Sequence, residues 1–153
     1  MTRLFRSLVR DERGTSLIEM AMVAPVFASM LIGMVDISRA YSAKLQLEQA
    51  AYRSIEKVQQ YRTTTDTYTT LQAEAASAAS VATSAVTVDP WLECDGVRQV
   101  SYTGICTVTQ VPTRYITVTI QKMFTPMFGS RYFPRANSNG TYTLTGQAGL
   151  RTQ

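Results

Sequence analysis

From Leu17 to Val35 the chain reads LIEMAMVAPVFASMLIGMV, nineteen residues in which Glu19 is the only ionisable group. A helix of about 20 apolar residues crosses the ~30 Å hydrocarbon layer of a bilayer, so the pattern predicts one transmembrane span. Past Asp36 the apolar positions thin to a stripe. Residues 37–62, ISRAYSAKLQLEQAAYRSIEKVQQYR, lack Gly and Pro and place Leu47, Ala51, Ile55 and Val58 at steps of four, four and three, the spacing of one helix face. Read as one helix, Thr15 to Gln60 would measure roughly 70 Å at about 1.5 Å per residue. Pro25 should kink or loosen it, because a mid-helix proline removes a backbone bond and clashes with the preceding turn.

After this helix the pattern changes twice. TTTDTYTT, residues 63–70, reads as a Thr-rich break, and LQAEAASAASVATSA, residues 71–85, as a second helix whose small side chains bury little area. From Val86 the composition turns to β. VRQVSYT, ICTVTQV, RYITVTIQKMF and TYTLTGQAGL alternate Val, Ile, Thr and Tyr between turn signals at Asp95-Gly96, Thr103-Gly104, Val111-Pro112-Thr113 and Asn139-Gly140, which predicts three or four antiparallel strands. Tyr115, Thr117, Thr119 and Gln121 would face one side, and Ile116, Val118, Ile120 and Lys122 the other, with the apolar face covering the long helix. The expected fold class is α+β: a long N-terminal helix, a short helix and a small antiparallel sheet.

Charge orients the span. Arg3, Arg6, Arg10 and Arg13 lie in the first fourteen residues, against Asp11 and Glu12, which places the N-terminus in the cytoplasm by the positive-inside rule. The remainder, from Asp36 on, is then extracytoplasmic. Taking those four basic and two acidic residues from totals of fifteen and eleven leaves eleven and nine. The basic balance is thus partly a leader property, and no nucleic-acid footprint is read from it.

With no histidine in the chain, Ser-His-Asp and Cys-His catalysis and histidine metal sites are excluded. Nor does the sequence show a phosphate-cradling loop, an acidic metal cluster or paired catalytic carboxylates. It reads as a non-enzyme with no cofactor and no metal. Cys94 and Cys106 have no histidine and no further cysteine to complete a structural zinc site, and in an oxidising compartment their natural pairing is a disulfide. A bridge over a loop of this length contributes about 3 kcal/mol in the chain-entropy model.

Three readings of the apolar segment compete. A secretory signal peptide would explain the basic start and the small-residue site Ser38-Arg39-Ala40, but the apolar run exceeds the usual ~7–15 residues. An ordinary signal anchor would tolerate Glu19 near the interface. In the third reading a leader is cut near Gly14 and Glu19 has an assigned partner. A carboxylate inside a membrane helix costs about 2.5–3.5 kcal/mol on insertion scales, so such groups are usually paired. A new amine at Thr15 would supply the cation. The fifth residue reaches its own helix terminus poorly, whereas the amine of a staggered neighbouring subunit can meet it, and the pair would then set the register of assembly.

These residues carry a resemblance. Gly14 followed by Thr15-Ser16-Leu17-Ile18-Glu19, after a short basic leader and before a long apolar helix, resembles the cleavage and assembly motif of type IV prepilins, which have glutamate at the fifth mature position. RGTSLIEMAMVAPVFASMLIGMVDISRAYSAKLQLEQAAYR, residues 13–53, resembles the TadE-like family of the tight-adherence (Tad) pilus system through Arg13-Gly14, Glu19, Pro25, the Gly33-Met34-Val35-Asp36 exit and the alanine-rich continuation. The resemblance implies a minor pilin or pseudopilin that is cut after Gly14 by a prepilin peptidase. Arg13, Gly14 and Thr15 would be processing residues, and Glu19 and Pro25 assembly residues. The implied partners are the peptidase, other pilin or pseudopilin subunits, the inner-membrane assembly platform and the lipid bilayer, with no nucleic acid. Thr15 stands where many type IV pilins carry phenylalanine, which leaves N-methylation of the new terminus open.

The expected organisation is a leader at 1–14, a span at 15–35, a helical extension at 36–62 and a small α+β domain at 63–153, with the chain single-pass in the inner membrane. Two other functions stay open at this point. One is a type II secretion pseudopilin. The other is an anchored extracytoplasmic binding or adhesion domain whose contact loop lies in TPMFGSRYFPRANSNG, residues 125–140. Met127, Phe128, Arg131, Tyr132, Phe133 and Arg135 would form that contact, although aromatic residues in such a loop also commonly tuck beneath a sheet.

Overall fold

A computed structural model of the chain describes residues 15–60, 67–127 and 136–152. The first element, α1 (Thr15–Gln60), is 46 residues long. Alanine is its commonest residue, joined by the good helix formers leucine, methionine, glutamine and glutamate, and Pro25 lies inside it without ending it. The chain falls into two units, one reaching Ser38 and the other beginning at Arg39.

In the second unit α1 is followed by α2 (Thr67–Ala79), one 3-10 turn (Thr83–Ala85) and strands β1 (Val86–Cys94), β2 (Val97–Arg98), β3 (Pro112–Phe124) and β4 (Tyr142–Arg151). The strands form one antiparallel sheet in the order β2-β1-β3-β4. The α+β expectation holds, but several boundaries are corrected. The second helix ends at Ala79 rather than residue 85. Ser80 takes a positive φ of 52°, while the Val81 and Ser80 N–H groups donate to the carbonyls of Ala76 and Ser77, a Schellman closure.

Val86–Cys94, left out of the sequence-derived strands, is the second-longest contact partner of the central strand, pairing from Val86↔Ile120 to Cys94↔Pro112. Pro90 masks it in the sequence, since proline reads against a strand; on an outer strand whose N–H positions face away from the neighbour it costs nothing. Of VRQVSYT only Val97 and Arg98 are strand, and ICTVTQV is irregular. Those residues lie in a loop tied at both ends, by the Cys94–Cys106 disulfide with Cα atoms 5.7 Å apart and by the Asp95 N–H donating to the Val111 carbonyl at 3.2 Å. The expected Asp95-Gly96 turn is present with φ of 51° and 80°, the left-handed pair that a two-residue hairpin requires.

One face of the sheet meets the helices. Ile116, Val118 and Ile120 of β3 pack with Val86 and Ala148 against Leu47, Ala50, Ala51 and Ile55 of α1 and Leu71, Ala75, Ala76 and Ala79 of α2. This is the stripe and alternation expected, except that Lys122 is exposed. The alanines let the helices come close to the sheet, and Gly146 marks the closest approach: a Cβ there would lie 2.6 Å from the Glu48 backbone nitrogen. Gln72 pins α2 to β1 by donating its side-chain amide to the carbonyls of Val86 at 2.8 Å and Thr83 at 3.1 Å. Arg39 lies over the Phe124 ring at 5.7 Å.

The other face is polar with one aromatic row. Arg98 grips both Asp89 carboxylate oxygens at 2.9 and 2.8 Å and lies 4.9 Å over Trp91, which stacks on Tyr115 at 5.2 Å. This row holds the two-residue β2 onto the sheet. Reducing the disulfide, or replacing both cysteines by serine, is expected to lower the stability of this unit by about 3 kcal/mol. Urea titration read by the fluorescence of Trp91, the chain's single tryptophan, checks this.

Candidate functional site

The candidate assembly residues lie in the first unit. α1 carries an eighteen-residue window of mean hydropathy 1.9, with none of it buried, and is long and apolar enough to cross a membrane. Leu17, Met22, Phe27, Met30, Leu31 and Met34 are all exposed, so the apolar surface runs around the helix rather than along one stripe. A helix apolar on every side needs lipid or other helices around it.

Glu19 sits one turn into α1 and is exposed beside Ile18 and Met20. Among the described residues no cation pairs with it. Pro25 lies inside the helix and lacks an N–H, so the Ala21 carbonyl loses its usual donor. Just beyond, the Ser29 hydroxyl donates to the Val26 carbonyl at 2.7 Å. Asp36, which ends the apolar stretch, is buried, 4% exposed.

Thr15 is the first residue of α1; Arg13 and Gly14 lie outside the described residues. Of the proposed contact loop, Met127 is described and exposed, whereas Phe128, Arg131, Tyr132, Phe133 and Arg135 lie outside the described residues. The structure therefore brings Glu19 and Pro25 onto one continuous helix with Thr15, and pairs Cys94 with Cys106. Among the described residues no cluster of His, Cys, Asp or Glu could hold a metal ion.

A second exposed apolar surface was missed in the sequence. Val97, Val100, Ile105, Val108 and Val111 all stand out from the disulfide loop. The signal was there: residues 99–111 carry no charge, yet their Val and Ile positions suggested strands rather than an exposed loop.

No curated protein and no solved structure matches the chain significantly. The family model for TadE-like protein matches residues 14–55. That segment starts at the glycine before α1, contains Glu19, Pro25 and Asp36, and ends at Ile55, where α1 packs on the sheet. Over its long N-terminal helix, residues 14–55, the chain is thus similar to TadE-like proteins.

Proposed function

We propose that this protein is a minor pilin or pseudopilin of a tight-adherence pilus, anchored by α1 and assembled through it. The observation that carries the reading is a TadE-like match that includes Gly14 and Glu19, with Glu19 near the start of a helix whose apolar eighteen-residue window has none of its surface buried among the described residues. The chain is inserted with its N-terminus in the cytoplasm and cut after Gly14 by a prepilin peptidase. It then leaves the bilayer for a bundle of neighbouring helices. Glu19 neutralises the new terminal amine of an adjacent subunit and so fixes the stagger between them. Before the cut, the leader's arginines hold the chain in the membrane, because charge enters an apolar bundle only at high cost. The role is one of assembly, without a reaction at a site of its own.

Intact-mass measurement on chain from native membranes tests this. Loss of residues 1–14 is expected wherever the peptidase is active. Persistence of the full-length chain beside an active peptidase would leave only the anchored-domain reading.

A further inference from the structure

The two rims of the sheet are treated differently. On the β3–β4 side, the Thr152 N–H donates to the Arg114 carbonyl at 2.8 Å. This fixes the phase of the ladder: partners at even positions exchange bonds, while Thr143, Thr145, Gln147 and Gly149 turn their N–H and C=O groups away from β3. On the β1 side, the Asp95 N–H bond to Val111 sets the opposite phase, so Val86, Val88, Pro90 and Leu92 face outward.

The β1 rim is blunted. The Val86 carbonyl accepts from Gln72, its N–H donates to Thr83, the Leu92 carbonyl accepts from Gln99 at 2.7 Å, and Pro90 has no N–H to offer. Proline and a short covering strand are the devices by which sheets avoid edge pairing. On β4 none of them appears. β4 is ten residues long and runs in unbroken register with β3, with no Pro, no Lys and no bulge. From Thr143 to Gly149 the outward backbone groups have no partner among the described residues.

We propose that this edge accepts an extended segment of a partner protein as a fifth strand. The occupant is a strand without a helix above it. α1 passes over Gly146, a Cβ of which would meet the Leu47–Glu48 backbone. A second copy laid antiparallel along β4 would bring its own α1 to the same side about one strand spacing away, ~4.8 Å, where packed helices need about 8–10 Å. A bare strand meets no such obstacle. Its side chains alternate, apolar beside Leu144, Ala148 and Leu150 and polar beside Thr143, Thr145 and Gln147, and it carries no proline opposite Thr143–Gly149. Backbone bonds give the affinity and the alternation gives the selectivity, as in strand addition generally.

The inference rests on the fold of the second unit and not on leader cleavage, which intact mass reports separately in the same sample. In the test, a photoreactive phenylalanine analogue is placed in turn at Thr143, Thr145 and Gln147, and as a control at Thr87, exposed on the same polar face of β1, in the full chain in native membranes. The expected adducts fall on one partner segment and move by two residues for each step of two along β4, with none from Thr87. Gln147→Pro removes an outward N–H and no ladder bond. It should cut adduct yield from Thr143 at least tenfold while the urea midpoint read at Trp91 is unchanged. If that variant does not fold, Thr145→Lys with Gln147→Lys keeps every ladder bond and should give the same loss. Adducts onto β4 of a second copy, adducts scattered without a two-residue step, no adducts, or yields unchanged by a folded variant would each overturn the proposal.

Discussion

Gly146→Ala is expected to destabilise the second unit by about 3 kcal/mol, near the upper end of the cost of overpacking a close-packed core. The new methyl would lie 2.6 Å from the Glu48 backbone nitrogen and from the Leu47 Cβ. Neither is the free end of a flexible side chain. Only the helix can move, and lifting α1 loosens Leu47, Ala51 and Ile55 from Ile116, Val118 and Ile120 together. Gly149→Ala is the control on the same strand. Its methyl would meet the Thr117 hydroxyl at 3.2 Å on the other face, a group that can rotate aside, so the loss should stay within ~1 kcal/mol. Urea midpoints from Trp91 emission in detergent compare the two, and equal losses would mean that α1 does not press on β4 as described.

That contrast marks what sequence reading could reach. The stripe Leu47, Ala51, Ile55, Val58 and the alternation Ile116, Val118, Ile120 were legible because helix and strand periods repeat along the chain, and each repeat buries the same face. The span was legible because nineteen residues hold a single ionisable group. Gly146 was not, since its role depends on a helix about 100 positions earlier crossing directly above it. β1 was hidden by Pro90, whose tolerance follows from which way its nitrogen faces, and that is settled by pairing rather than composition. The disulfide loop misled in the other direction. Its Thr and Val residues have strand propensity, but the tie between Cys94 and Cys106 and the Asp95–Val111 bond leave no neighbour for a ladder. Of the candidate site, Glu19 and Pro25 were legible as anomalies in an apolar run. The edge of β4 was not, because strand order decides which strand is outermost.

Glu19→Ala is expected to leave the cut after Gly14 intact and to lower incorporation into assembled fibres by tenfold or more. The magnitude follows from the environment. Pairing a carboxylate with a terminal amine in an apolar bundle replaces an uncompensated charge, whose cost in a membrane helix is about 2.5–3.5 kcal/mol, and each 1.4 kcal/mol is a factor of about ten in an equilibrium. With alanine at position 19 the amine of the neighbour is the charge left alone, so entry of that neighbour is opposed although the variant helix itself becomes easier to bury. Glu19→Gln separates charge from shape: it keeps the size and a hydrogen-bonding oxygen, and should recover little of the loss if neutralisation is the function. Glu19→Asp keeps the charge on a shorter arm and should recover part of it. The measurement is the ratio of processed chain in sheared fibres to processed chain in membranes, with intact mass confirming the cut in every variant. Normal incorporation of the alanine variant would remove the charge pair from the mechanism and leave the apolar surface of α1 as the sole basis of assembly.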